Sequence, residues 1–301
     1  MLSPGTAQNF EEYFNDVFAP FILKQVEKVK RVDVVWDVYR DDSLKKATRQ
    51  KRGSGQRRKA LMSTRIPSDW KGFLRNDENK TELFQLLAVN LMSLKMPVGK
   101  EIYSTHGEIV LSSTNRTEME YLAPSTHEEA DTRLMIHVMD ASACGHRRVM
   151  VRSNDADVVL LAVSIFNLLQ VDELWVTYGS GKHLQFLPAH SIAGSLGTER
   201  ASVLPLFHAL TGCDTVSFFN GKGKKTAWNV WDVYPELTPK LKALKSLPGD
   251  VDDECIAIIE RFVVLLYDRT SNLAQVNKAR QELFSQKSRP LDAIPPTRLK
   301  P

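Results

Sequence analysis

The 301-residue chain is poor in cysteine: Cys144, Cys213 and Cys255 stand far apart, and no CxxC pair occurs. That excludes a disulfide framework and a zinc knuckle, and it points to a reducing intracellular compartment. No apolar run approaches the roughly 18 residues that a bilayer span needs, so no membrane partner is expected. The opening MLSPGTAQNFEEYF has neither the basic n-region nor the apolar h-region of a secretory signal. Charge of one sign is scarce too. Forty Lys and Arg against 36 Asp and Glu leave a net charge of +4, so overall balance selects no partner and only local distribution can. Three familiar motifs are also incomplete. HEEAD at 127–131 has Asp131 where a zinc protease helix needs its second His. GSGK at 179–182 lacks the upstream Gly and following Ser/Thr of a P-loop. YRDD at 39–42 runs into KKATRQKR and not into the second apolar strand of a polymerase palm. What remains is 43% hydrophobic and 25% charged, the composition of a soluble globular protein with one large domain or two modest ones.

Apolar spacing and turn residues predict an α/β fold. Residues 9–30 repeat at helical period, with Pro20 expected to kink or restart the helix. The run 33-DVVWDVY-39 reads as a strand, 79–94 as an amphipathic helix, and 101–113 as a hairpin turning near His106-Gly107. Strand and helix then alternate. Ser125-Thr-His-Glu128 has capping-box spacing ahead of EADTRLMIHVMDAS. RRVMVRS and ELWVTY read as strands; VVLLAVSIFNLL, LPAHSIAGSL and SVLPLFHALTG read as helices. Such alternation predicts a parallel sheet with helices on both faces. Residues 228–284 read as helical, the Pro-rich end SRPLDAIPPTRLKP as disordered, and no internal repeat is visible.

Acids fall where this architecture binds ligands, beyond the carboxyl ends of strands. Asp37 closes DVVWDVY, Glu129 and Asp131 open the helix after Ser125, Asp155 and Asp157 end RRVMVRS, and Asp214 follows SVLPLFHALTG at a Gly-Cys-Asp turn. Extended backbone through 157 would place Asp155 and Asp157 on one face. Converging carboxylates repel unless cations neutralise them, and a pair of hard divalent ions would do so. Each acid taken singly also suits a cap or a turn, and Glu128 is read as a cap. His137 and His208, within apolar helical stretches, read as structural, as do Trp228 and Trp231.

THEEADTRL, RSNDADVVLL and LTGCDTVSFFNGKGKKTAW together resemble, in order, motifs of the flap-endonuclease/XPG-type nucleases of the PIN-like superfamily. Gly221 and Gly223, seven and nine residues after Asp214, match the glycine pair of that family's helix–two-turn–helix. VVWDVYRDDSLKKATRQKRGSGQRRK resembles its strand-Asp followed by a basic segment. The resemblance implies a PIN-like nuclease domain over 1–220, a helix–two-turn–helix with C-terminal helices over 221–285, and a disordered tail from 286. It implies that Asp37, Glu129, Asp131, Asp155, Asp157 and Asp214 are metal ligands for two Mg²⁺ or Mn²⁺ ions, with a monovalent cation at the 221–225 turn. The family's first strand and its Asp are expected to be missing from this chain, whose first element matches the helix that follows that strand.

The segment 45–59 holds eight Lys or Arg in fifteen residues and is read as exposed and mobile. It suits a solvated loop, a nuclear-localisation patch or a nucleic-acid clamp. As a clamp, Lys45, Lys46, Arg49, Lys51, Arg52, Arg57, Arg58 and Lys59 would meet phosphates, joined by Gly221, Lys222, Gly223, Lys224 and Lys225. GKGKK equally suits an exposed basic turn. The resulting expectation is an intracellular, nuclear, metal-dependent phosphodiesterase acting on duplex or junction DNA by in-line hydrolysis. The alternatives are an inactive relative that binds nucleic acid or protein, and an RNA-directed nuclease.

Overall fold

The first 26 residues follow from one proline. Pro20 has no N–H to give to a carbonyl four residues back. The chain winds as α1 (Phe10–Glu12), widens into a π-helical turn over Tyr13–Phe18, and resumes as α2 (Ala19–Val26) with Pro20 in its first turn. The computed structural model describes residues 1–39, 55–127, 129–179, 181–214, 216–246, 252–286 and 290–298. They fall into two units, 1–146 and 147–301.

In the first unit, β1 (Arg31–Val34) is followed by a short α3 (Trp70–Phe73) and by α4 (Asp77–Leu91), which Asn76 caps at its N-terminus. Strand β2 (Glu101–His106) lies parallel to β1, and β3 (Ile109–Ser112) returns antiparallel to β2. Gly107 supplies the positive φ that their two-residue turn requires. Helix α5 (Ala130–Ala143) completes the unit. Its core joins Phe10, Tyr13, Phe14 and Phe18 of the first helical run to Leu83, Leu87 and Leu91 of α4 and Ile102 of β2. The i, i+4, i+8 spacing of the three leucines gives α4 one apolar stripe.

The second unit follows a similar order, with one α-helix between its parallel strands where the first has two among the described residues. Strand β4 (Arg148–Arg152) leads to α6 (Ala156–Ile165) and then to the parallel β5 (Glu173–Tyr178). Strand β6 (Gln185–Pro188) returns antiparallel and runs directly into α7 (Ala189–Leu196). Five helices follow: α8 (Thr198–Ser202), α9 (Leu204–Leu210), α10 (Lys224–Val233), α11 (Leu237–Ser246) and α12 (Asp253–Tyr267). A sixth, α13 (Val276–Ser285), ends the set. Trp231 is buried and stacks on Phe207 at 4.3 Å between ring centroids. The guanidinium of Arg200 lies over both Trp228 and Trp231; Trp231 is core, as read from sequence, while Trp228 is half-buried.

The α/β class holds, with differences in detail. Among the described residues there are two three-stranded mixed sheets, each with one parallel pair, and no single parallel sheet. In both units helical structure separates two parallel strands and a hairpin then leads into a helix, without any repeat in the sequence, because a similar element order can be built from different side chains. Strand β6 is a four-residue run between turn residues, too short for an alternation signal. The division at 146/147 places the helices after 221 in one unit with β4–β6. The Pro-rich end, read as disordered, is packed over its described part. Ile294 is buried, Arg280 donates to the Pro295 carbonyl, and Arg298 pairs with the buried Glu260 at 2.6 Å. No helix among the described residues is long and apolar enough to cross a membrane.

Candidate functional site

The acids of the first unit gather where β1 gives way to irregular backbone. The strand ends at Val34, so Asp37 lies three residues beyond it and does not close it. Its Oδ1 accepts the N–H of Ala130 at 3.0 Å, which brings Asp37 to the first turn of α5. That N–H is one of the unsatisfied donors of a helix start, where negative charge is favourable. Glu129 is the N-cap residue of α5 and Asp131 lies in its first turn. The expected capping box is therefore replaced. The helix begins at Ala130, Glu128 lies outside the described residues, and Ser125 Oγ is buried without a hydrogen-bond partner among the described residues.

A buried ion network holds α5 to β1 below these acids. Arg31 and Asp33, two apart on β1, form a bidentate pair at 2.8 Å, and Arg31 also reaches Asp140 at 2.7 Å. Arg116 closes on the other side of Asp140 with two contacts of 2.7 and 2.8 Å. His137 Nδ1 lies 2.7 Å from Asp33 Oδ1, and the Tyr103 ring underlies Arg31 at 4.2 Å. Burial by itself would raise the Asp33 carboxyl, but hydrogen bonds from His137 and Arg31 outweigh it and hold the group below its ordinary value. Asp140 behaves alike, with Arg116 and Arg31 outweighing its burial. The sequence reading missed this network, although a signal exists. Arg133, His137 and Asp140 recur at i, i+4, i+7 on α5, and all three are buried. Arg133 donates to the carbonyls of Gly107 and Ile109 and so ties α5 to the hairpin turn.

In the second unit the expected shared strand face of Asp155 and Asp157 is not formed. Strand β4 stops at Arg152, and Asp155 is the N-cap of α6, its Oδ1 accepting the Asp157 N–H at 2.9 Å. Asp157 thus belongs to the first helical turn. The capping geometry, extended at Asp155 and helical at once after it, overrides the strand period. Both residues keep access to solvent. His208 of α9, read as structural, lies with Nε2 at 3.4 Å from Asp157 Oδ1, an approach that only the packing of two helices 51 positions apart creates. Asp214 is exposed in the turn after α9. The opening of α6 also borders an apolar groove of about 460 Å³ lined by Ala156, Val159, Leu160, Tyr178, Leu187 and Trp228.

Several basic residues have internal partners. Lys45, Lys46, Arg49, Lys51 and Arg52 lie outside the described residues. Arg57 binds Glu78, Asn79 and Glu82 of α4, so it clasps the helix and is not a free phosphate contact. Arg58 donates its backbone N–H to Asn79, and Lys59 is exposed. Lys224, expected at a phosphate, is likewise held by internal partners. Its Nζ reaches the His208 carbonyl, Thr211 Oγ1 and the Gly212 carbonyl at 2.5–2.7 Å, closing the C-terminus of α9. Partial burial lowers the Lys224 ammonium below its ordinary value. Lys222 Nζ lies over the Tyr267 ring at 4.9 Å, and Lys225 is exposed. Gly221 takes a positive φ of 67°, and Gly223 is the extended N-cap of α10.

The donors are of the right chemical type for a hard divalent cation, since they are carboxylate oxygens at solvent-accessible helix starts. Among the described residues no three His, Cys, Asp or Glu side chains form a group that could enclose an ion. An ion held here would keep several waters, which suits Mg²⁺ and does not suit a structural zinc. No family model, curated protein or solved structure matches the chain.

Proposed function

We propose that the chain is a divalent-metal-dependent phosphodiesterase of PIN-like type acting on DNA with duplex or junction structure. One observation carries the reading. In each unit, acids lie beyond the carboxyl end of a strand belonging to a parallel pair, beside the start of a helix: Asp37, Glu129 and Asp131 in one, Asp155 and Asp157 in the other. This is the region of an α/β sheet where ligands bind. Asp214 joins the set by the motif order in the sequence.

In each unit its own carboxylates would hold Mg²⁺ or Mn²⁺, which supplies charge neutralisation at a phosphate and an activated water for in-line displacement. The chain's own contributions are positional. The Asp155 cap fixes the first turn of α6 and with it the direction of Asp157, and His208 Nε2 orients the Asp157 carboxylate from the other side. Lys222 and Lys225, with the positive-φ turn at Gly221, would meet the phosphate backbone, and a monovalent cation at 221–225 belongs to the same reading.

A second reading, a non-catalytic relative that binds nucleic acid, is favoured by the caps themselves, since Asp37 and Asp155 each satisfy a helix start without any metal. Calorimetric titration with Mn²⁺ separates the two. Saturable binding that Asp155→Ala/Asp157→Ala abolishes, with Mn²⁺-dependent cleavage of a branched duplex, is the expected result. Heat indistinguishable from dilution, in protein that melts normally, would leave only the binding scaffold.

A further inference from the structure

The segment 290–298 packs on α12 and α13 through contacts that engage one residue by backbone and side chain together. Arg298 gives its N–H to Asn277 Oδ1 at 3.0 Å, and its carbonyl accepts from Asn277 Nδ2 at 3.1 Å. Its guanidinium meets Glu260 Oε2 at 2.6 Å. Glu260 is buried on α12, and its other oxygen accepts the Val276 N–H at the start of α13 at 2.9 Å. Arg280 donates to the Pro295 carbonyl; Ile294 and Pro295 are buried, while Pro296 and Thr297 face solvent. Asn277 and Arg280 are three apart and so share a face of α13. They meet Arg298 and Pro295 in turn, so the segment runs antiparallel to the helix.

This is how an extended peptide is held by a receptor. Pro295 and Pro296 have no N–H to give to a ladder, and Ile294 is extended at φ −112° and ψ 158°. A proline-rich extended chain has little freedom to lose on docking. The attachment is also easily opened, because its polar contacts reach water: the Arg298 side chain is 42% exposed and Asn277 is exposed. Segments held by few buried apolar groups and by solvent-exposed hydrogen bonds open at far lower free energy than a core. Once open, α12 and α13 present an apolar slot beside a buried carboxylate that has lost its guanidinium. An acidic or purely apolar ligand would leave that charge unpaired, which is costly. A second extended segment with an arginine at the same spacing restores every contact.

We propose that the α12–α13 face is a docking site for an extended apolar-Pro-x-x-Arg peptide of a protein partner, and that residues 294–298 occupy it in cis as a tethered competitor. The slot under Ile294 and Pro295 takes the apolar-Pro step, Glu260 selects arginine, and Asn277 clamps the backbone of that arginine. The proposal shares no residue with the phosphodiesterase reading and does not depend on it.

The test is fluorescence anisotropy of the fluorescein-labelled, amidated peptide PLDAIPPTR, which copies residues 290–298, titrated with the full chain. Residues 286–289 alone separate α13 from Pro290, and so short a tether supplies an effective concentration of about 1 mM. The peptide should therefore bind the full-chain variant Ile294→Ala/Arg298→Ala, whose own segment is disarmed, at least about tenfold more tightly than the parent. Adding Glu260→Gln, which keeps an oxygen for the Val276 N–H, should abolish that binding. Arg298→Ala in the peptide should abolish it as well. Thermal melts verify folding, and Arg298→Ala alone, at a half-exposed side chain, serves where the double variant melts early. Equal affinity of parent and opened chain, binding indifferent to Glu260→Gln, or no saturable binding to either opened chain overturns the proposal. A concentration-dependent dimer of the parent that the peptide dissociates overturns the partner and assigns the face to a second copy.

Discussion

Lys224 sits in a run of cations, yet its ammonium closes a helix end. Lys224→Met keeps the stem and removes the three donors, so thermal stability should fall by about 1 kcal/mol. DNA affinity at fixed salt should change far less than in Lys225→Ala, and filter binding of the two variants checks the contrast. Asp140 lies at the other extreme of burial, with its side chain 1% exposed between two guanidinium groups. Asp140→Ala leaves Arg31 without one of its carboxylates and Arg116 without the carboxylate it pairs with, so about 3–5 kcal/mol should be lost in a urea melt. A loss under 1 kcal/mol would mean that water replaces the carboxylate.

Helix α6 carries the sharpest question at the level of elements, because Asp155 is at once its cap and a proposed metal ligand. Asp155→Ala should cost about 1 kcal/mol as a lost cap. Asp155→Asn keeps an accepting oxygen and should melt close to the parent, yet it should bind Mn²⁺ more weakly if the carboxylate is a ligand. Equal Mn²⁺ affinity in parent and Asp155→Asn would assign the residue to capping alone. In the α9–α10 connection, Gly212→Ala meets both an unfavourable φ of +95° and the Cβ of Phe218. It should cost about 1–3 kcal/mol, which a urea melt checks.

For the molecule as a whole, the depressed carboxyls of Asp33 and Asp140 set a direction for acid stability. Their folded values lie below the unfolded value of about 4, so their contribution is complete above that pH. It is lost progressively as pH falls through the lowered folded values. Melting temperature should therefore drop below about pH 4, and the gap between the parent and Asp140→Ala should narrow with it. A gap constant down to strong acid would show that Asp140 stays charged or contributes by packing alone. Since both acids belong to residues 1–146, amide exchange should report the acid loss first in β1 and α5.

Local chemistry was legible in the sequence. The hairpin at His106-Gly107, the amphipathic α4, the restart at Pro20 and the strand–helix alternation all follow from side-chain period and turn residues over a few positions. The placement of Glu129 and Asp131 at a helix start was legible too. Tertiary structure decided which groups meet. Asp33 with His137, 104 positions apart, Asp37 with the start of α5, Asp157 with His208 and Lys224 with the end of α9 are all contacts between separate elements. Sequence spacing constrains faces within an element, where geometry repeats every two or 3.6 residues. It carries no comparable rule for the side chain arriving from another element, and for that reason a basic run hid a helix clasp at Arg57 and an α9 end-cap at Lys224.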